Sequence, residues 1–164
     1  MRSGTVIATH GRHHVILSAG ATIQCVTRGK KTDIAVGDHV NFVPTSSNQG
    51  VIESTDERQT LLYRSDQYKS KFLAANVSQV MIVTATEPVF YDDLLSRALV
   101  AANAAGIKAH IILNKIDVSD HLSKTRSRLK IYGDLGYPIH EVSALTQSQA
   151  TFDYLSPLLS NQST

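Results

Sequence analysis

The sequence has a single cysteine, Cys25, among its 164 residues. One thiol closes no internal disulfide and builds no structural zinc site, which fits a reducing compartment; a cytoplasmic location is expected. Long apolar runs are missing too. The longest span a few residues, far below the roughly 20 that a membrane-crossing helix needs. Residues 1–20 have no continuous apolar core behind their charges, so no signal peptide is expected. Acidic residues are absent from the first 32 positions, which carry Arg2, Arg12, Arg28, Lys30 and Lys31 with His10, His13 and His14 among them. Aromatics are scarce: Phe42 is the only one in residues 1–57, which leaves little for base stacking.

What is present is a foldable composition, 42% hydrophobic and 18% charged, long enough for one ordinary domain or two small ones. The net charge of +2 is unevenly spread. Residues 1–76 hold nine Lys/Arg against six Asp/Glu, a net +3, and residues 77–164 hold seven against eight, a net −1. A local basic excess suits a polyanion such as RNA. A solvated face of a small β domain is the plainer reading of charge alone.

The first part of the chain reads as short strands. Residues 5–10, 13–17, 22–27, 40–43 and 51–53 are β-branched or alternating, separated by Gly11-Arg12, Ser18-Ala19-Gly20, Arg28-Gly29-Lys30-Lys31, Val36-Gly37-Asp38 and Ser46-Ser47-Asn48-Gln49-Gly50. Five strands with glycine turns and no helical period predict a small Greek-key barrel, an OB-fold over 1–57; a small SH3-like barrel would give a similar pattern. Residues 58–76, with Arg58, Arg64, Lys69 and Lys71, read as a basic linker.

From residue 77 the pattern changes. The apolar run 80–84 predicts a strand buried on both faces. Asp92 is the expected N-cap of a helix carrying Leu94, Leu95, Ala98, Leu99, Ala102 and Ala105 and closed by Gly106. A second buried strand follows at 111–113. Ser119 or Asp120 is expected to cap a second helix, with Leu122, Leu129, Ile131 and Leu135 on its apolar side and Gly136 ending it. A third strand is expected at 137–142. Phe152, Leu155, Leu158 and Leu159 suggest a last helix that Pro157 limits. Alternating strands and helices imply a parallel α/β sheet with right-handed crossovers. Three strands make it look unfinished, so an exposed apolar edge is expected beside 80–84.

Asn114-Lys115-Ile116-Asp117 follows the second buried strand, and ligands of open parallel sheets bind beyond the carboxyl ends of strands. The residue types suit guanine. Its N1–H and N2 amino group are adjacent donors that the one carboxylate of Asp117 can accept together. Adenine lacks that pair and would leave the carboxylate unmatched. Asn114 can serve the N7/O6 edge or tie loops together, and the Lys115 stem can lie over the base plane. Asn-Lys-x-Asp is the guanine motif of Ras-like GTPases. The plain alternative is an Asp117 that only caps the next helix beside a solvated Lys115. Ser143-Ala144-Leu145, after the third strand, matches the Ser-Ala turn that offers a backbone N–H to guanine O6 in those proteins. No Gly-x-x-x-x-Gly-Lys-[Ser/Thr] and no Asp-x-x-Gly occurs in the 164 residues; Gly29-Lys30-Lys31-Thr32 lacks the earlier glycine.

Guanine-reading elements after a barrel, with no phosphate loop before them, resemble the RsgA (YjeQ/EngC) family of circularly permuted GTPases of small ribosomal subunit biogenesis. The likeness rests on Arg12-His13-His14, Cys25-Val26-Thr27-Arg28-Gly29-Lys30-Lys31, Val36-Gly37-Asp38, Asn48-Gln49-Gly50-Val51-Ile52, Arg64-Ser65-Asp66-Gln67-Tyr68-Lys69-Ser70-Lys71, Ala74-Ala75-Asn76-Val77, Asn114-Lys115-Ile116-Asp117 and Val142-Ser143-Ala144-Leu145. It implies an OB-fold, then the first, incomplete half of a permuted Ras-like G domain over 77–164, with the phosphate loop, switch segments and a zinc-binding domain beyond residue 164. It implies GTP hydrolysis stimulated by the small subunit, with GTP/GDP and Mg2+ as ligands, zinc only in the missing C-terminal part, the small subunit and its rRNA as partners, and a monomeric full-length protein. On that reading the chain is a fragment, inactive by itself.

Expected guanine-binding residues are Asn114, Lys115, Ile116, Asp117, Ser143 and Ala144. Expected RNA-binding residues are Arg12, His13, His14, Arg28, Lys30 and Lys31, with none catalytic and none binding metal. The alternative is a non-enzymatic RNA-binding module with an incomplete nucleotide site. Lys124, Arg126, Arg128 and Lys130 offer a second basic face, more simply a solvated helix surface.

Overall fold

The structure, a computed structural model, describes residues 1–29, 33–65 and 70–164. The chain divides into two compact units, Met1–Val77 and Ser78–Thr164.

In the first unit, β1 (Arg2–His10), β2 (His13–Ser18), β3 (Ala21–Thr27), β4 (His39–Pro44) and β5 (Gln49–Thr55) close a barrel in the order β1-β2-β3-β5-β4. The β3–β5 pair is parallel and the other pairs are antiparallel. This is the OB-fold arrangement. Alternation sends Val6, Ile16, Ile23, Cys25, Val40, Phe42 and Ile52 inward. Each buried aliphatic or aromatic side chain contributes about 1.5–3 kcal/mol of transfer free energy.

The stretch expected as a linker contains paired strands. Leu61–Ser65 (β6) and Ser70–Ala75 (β7) pair as an antiparallel hairpin. The sequence hid it because its alternation is broken by a bulge between Leu62 and Tyr63 and because charge dominates its composition. Arg58 fastens it to the barrel. Its guanidinium donates to both Asp38 oxygens, at 2.7 and 2.8 Å, and to the Asp33 carbonyl, and it lies 5.0 Å from the Phe72 ring centroid. Asp38 is 1% exposed and also accepts the Ala35 amide at 2.9 Å. Asn76 donates to the Gly37 carbonyl, and the Ala75 amide donates to the Val36 carbonyl.

In the second unit, β8 (Gln79–Ala85), β9 (Lys108–Asn114) and β10 (Ile139–Glu141) form a parallel sheet in the order β10-β9-β8. Helices α1 (Asp92–Ala104), α2 (Leu122–Asp134) and α3 (Ser148–Leu159) alternate with them. The central strand is β9, buried from Ala109 to Leu113. In contrast, β8 is an edge strand whose Val83 is 65% exposed, so the expectation of burial on both faces fails there while that of an exposed apolar edge holds.

Local details also differ from expectation. Tyr91 and His121 occupy the N-cap positions of α1 and α2 without side-chain caps, and Asp92 is the first helical residue. There Asp92 and Asp93 favour the helix dipole, and Asp92 receives Arg128 at 2.7 Å. Leu94, Ile131 and Leu135 are exposed, and α2 buries Thr125, Leu129 and Tyr132 instead. Helix α3 runs through Pro157 to Leu159. Gly106 and Gly136 follow the C-caps of α1 and α2 with positive φ, as expected. No helix among the described residues is long and apolar enough to cross a membrane.

Gly37 is where the barrel turn and the hairpin come closest. Its φ is +93°, and a Cβ there would lie 2.0 Å from the Ala75 carbonyl oxygen. Gly37→Ala is therefore expected to lower the stability of the first unit by at least about 2 kcal/mol, in urea unfolding followed by hydrogen exchange at β1 and β7. A loss below about 0.5 kcal/mol, the usual scatter of harmless surface changes, would contradict this packing.

Candidate nucleotide-binding site

Parallel pairing of β9 and β10 brings the two guanine-motif segments together. The Val142 amide donates to the Leu113 carbonyl at 2.9 Å, and the Ile116 amide donates to the Val142 carbonyl at 3.3 Å. These bonds carry the ladder one step past Glu141, so both chains leave the sheet side by side.

Asn114 is the hub of the crossing. Its Oδ1 accepts the Lys115 amide at 2.8 Å and the Ala144 amide at 3.1 Å. Here the Ala144 N–H, a backbone donor of the expected Ser-Ala turn, is engaged by Asn114. Lys115 has φ +63°, an uncommon conformation for a non-glycine residue, of the kind that collects at ligand-binding sites. Its Nζ donates to the Glu87 carbonyl at 2.8 Å. That contact draws the stem across the loop after β8, which includes the cis Glu87–Pro88 peptide. Ile116 is half-buried.

Asp117 is exposed, and its Oδ1 accepts the Ser143 hydroxyl. Ser143 is fully buried and also contacts the Thr146 hydroxyl at 2.7 Å; its Oγ accepts the Thr146 amide at 3.1 Å. A carboxylate offers about four lone-pair positions, so with one taken by Ser143 it still matches two adjacent donors on a flat base. The residues present fit a guanine base. Thr146 and Glu87 were not singled out from the sequence. A Thr three residues after a motif Ser can close a local hydroxyl turn, which was a usable signal for Thr146. Nothing local marks Glu87, whose role depends on the fold bringing Lys115 over it.

The residues expected to bind RNA separate. Arg12 donates to the Gly29 carbonyl at 3.4 Å, and His13 stands opposite Val26, so the 11–12 turn and the end of β3 lie at one end of the barrel. Arg28 is ion-paired with Glu53 at 3.0 Å and remains exposed. Lys30 and Lys31 lie outside the described residues. His14 is a correction. It faces the barrel interior, 2% exposed, with neither ring nitrogen hydrogen-bonded, and is not available to RNA. Neighbouring residues of a strand face opposite sides, so His13 and His14 could not both be on the surface. On α2, Arg126, Arg128 and Lys130 are ion-paired within the chain, to Glu141, Asp92 and Asp134. Among the described residues no cluster of three or more His, Cys, Asp or Glu side chains is arranged to hold a metal.

A family model described as RsgA GTPase matches residues 55–164. The chain belongs to the RsgA GTPase family. It is 53% identical over 163 residues to a small ribosomal subunit biogenesis GTPase RsgA of Paraburkholderia xenovorans, covering 98% of this chain and 52% of that protein. It is 51% identical over 155 residues to that of Ralstonia pickettii, covering 94% and 49%. The chain thus spans about half the length of these relatives. Among solved structures, YjeQ from Thermotoga maritima matches with a TM-score of 0.67 at 31% identity, over 94% of this chain and 56% of that one. YloQ, described as a circularly permuted GTPase, shares the fold with a TM-score of 0.66 at 24% identity, over 99% and 57%.

Burial holds the His14 pKa below its ordinary 6.5, the His13 charge lowers it further, and Asp38 pulls the other way. The unfolded chain takes up this proton near pH 6.5 while the folded barrel resists it. Stability is therefore full above that pH and falls as the pH drops below it. The protection factors of β2 and β3 core amides, which remove the intrinsic pH dependence of exchange, are expected to fall between pH 7 and 5, and to do so less steeply in His14→Leu. Equal slopes in the two proteins would contradict the assignment.

Proposed function

We propose that this chain is the RNA-contacting and guanine-reading part of a GTPase that acts late in small ribosomal subunit maturation. The observation that carries this is the meeting of Asn114, Lys115 and Asp117 with Ser143 and Ala144 at the ends of adjacent parallel strands, with Ser143 hydrogen-bonded to Asp117. Family membership and the names of the relatives support the same reading.

In this reading Asp117 accepts N1–H and the N2 amino group, while Ser143 fixes the carboxylate's rotation. Asn114 holds the two loops at a common height and meets the N7/O6 edge. The Lys115 stem covers one face of the base, anchored by its ammonium on Glu87. The Ala144 amide passes from Asn114 to guanine O6 on binding. Phosphate positioning and Mg2+ supply the hydrolytic chemistry, and the motifs for them do not occur in these 164 residues. They belong to the longer protein, as does the zinc the family resemblance implies.

The barrel of the first unit is the RNA-contacting element, through Arg12, His13 and Arg28 with Lys30 and Lys31. The working protein is monomeric and cytoplasmic, and its partners are the small subunit and its rRNA. The second reading, a non-enzymatic RNA-binding module, is favoured by the missing phosphate motifs alone.

The two readings part on nucleotide. The purified chain is expected to hydrolyse no GTP above the buffer rate. It is expected to bind GDP weakly, with a Kd on the order of 1 mM, as befits base contacts alone. Calorimetry with GDP and ADP is expected to show binding of GDP only, lost in Asp117→Ala. Equal binding of ADP would remove the guanine assignment, and hydrolysis by the chain would remove the division of labour.

A further inference from the structure

Arg64 and Lys71 stand directly opposite one another on the β6–β7 hairpin. Both are exposed, and among the described residues neither has an ion-pair or hydrogen-bond partner. Directly opposed side chains of an antiparallel pair have Cβ atoms about 4.5–5.5 Å apart, and like charges there are destabilising. Six cations are ion-paired among the described residues, Arg28, Arg58, Arg97, Arg126, Arg128 and Lys130, and neither hairpin cation is one of them. The hairpin pair has no carboxylate partner among the described residues.

The hairpin that carries it is bonded to the 36–38 turn. Residues 71 and 72 face opposite sides of β7. Phe72 lies under Arg58, which the buried Asp38 of the turn before β4 holds, while Asn76 and Ala75 bond to the 36–37 turn. The Phe72 side of the hairpin is thus the side tied to the barrel, and the Arg64–Lys71 side faces water. Two neighbouring exposed cations, one a forked guanidinium and one an ammonium, match a phosphate or two successive phosphates.

We propose that the Arg64–Lys71 pair is a second RNA-backbone contact of the first unit, separate from the barrel-end set of Arg12, His13 and Arg28. The proposal rests on the reading that this unit contacts RNA. The contact is to phosphate and carries no sequence preference. Binding neutralises the cross-strand repulsion, so the hairpin becomes more stable when RNA is bound.

The test uses the whole 164-residue chain and a labelled RNA stem–loop of roughly 20 nucleotides, titrated across a series of salt concentrations. Arg64→Gln with Lys71→Gln is expected to weaken binding and to make the slope of log K against log salt shallower by about 2, one for each lost phosphate contact. Lys71→Glu sets a carboxylate opposite Arg64; it is expected to raise the hairpin's thermal stability and still weaken RNA binding. An unchanged slope in the double variant, beside a loss in Arg12→Gln with Arg28→Gln, would overturn the proposal and leave the RNA reading standing. A wild-type chain with no salt-dependent RNA binding would overturn both. If poly-glutamate competes as well as RNA and loses as much in the double variant, the partner is an acidic protein and the assignment to RNA fails.

Discussion

The candidate site depends on one constraint, the parallel register of β9 and β10. That register, continued through Val142 to Leu113 and Ile116, makes residues 114–117 and 143–146 emerge side by side. A shift of one residue in the ladder would turn Ser143 away from Asp117 and break the bond from the Ala144 amide to Asn114 Oδ1. The apolar burial that fixes the register lies in β9, whose Ile111 and Leu113 are fully covered. Hydrophobic packing in the middle of the sheet thus sets hydrogen-bond geometry at its rim.

The first unit depends on a different interaction, the Arg58–Asp38 pair. Asp38 is buried in the turn before β4, and its charge is tolerable because Arg58 and the Ala35 amide satisfy it. Removing one member of a buried pair typically costs about 3–5 kcal/mol, since it strands the other charge. The same guanidinium covers Phe72, so one residue joins turn, barrel and hairpin. The β6–β7 hairpin is accordingly part of the first unit's architecture.

Much of this was legible in the sequence. The five barrel strands follow from alternation between glycine turns, and the α/β alternation from periodicity with Gly106 and Gly136 as helix ends. Asn114-Lys115-Ile116-Asp117 marked the candidate site because its residue types match the donors of guanine. What escaped was non-local. The β6–β7 hairpin is held by a buried ion pair between residues 38 and 58, which no local pattern announces. His14 was read by its charge when its strand parity pointed inward. The helix starts were read from cap propensity, but packing begins α1 and α2 at Tyr91 and His121 without side-chain caps. Val83 is exposed because β8 has a paired neighbour on one side only among the described residues.

The most direct measurement is a structure of the 164-residue chain with GDP bound at saturating concentration. The account predicts guanine between the Lys115 stem and the Ala144 turn, its N1–H and N2 amino group on the Asp117 carboxylate, and the Ala144 amide moved from Asn114 to O6. A base found elsewhere, or one that meets this loop without engaging Asp117, would contradict it.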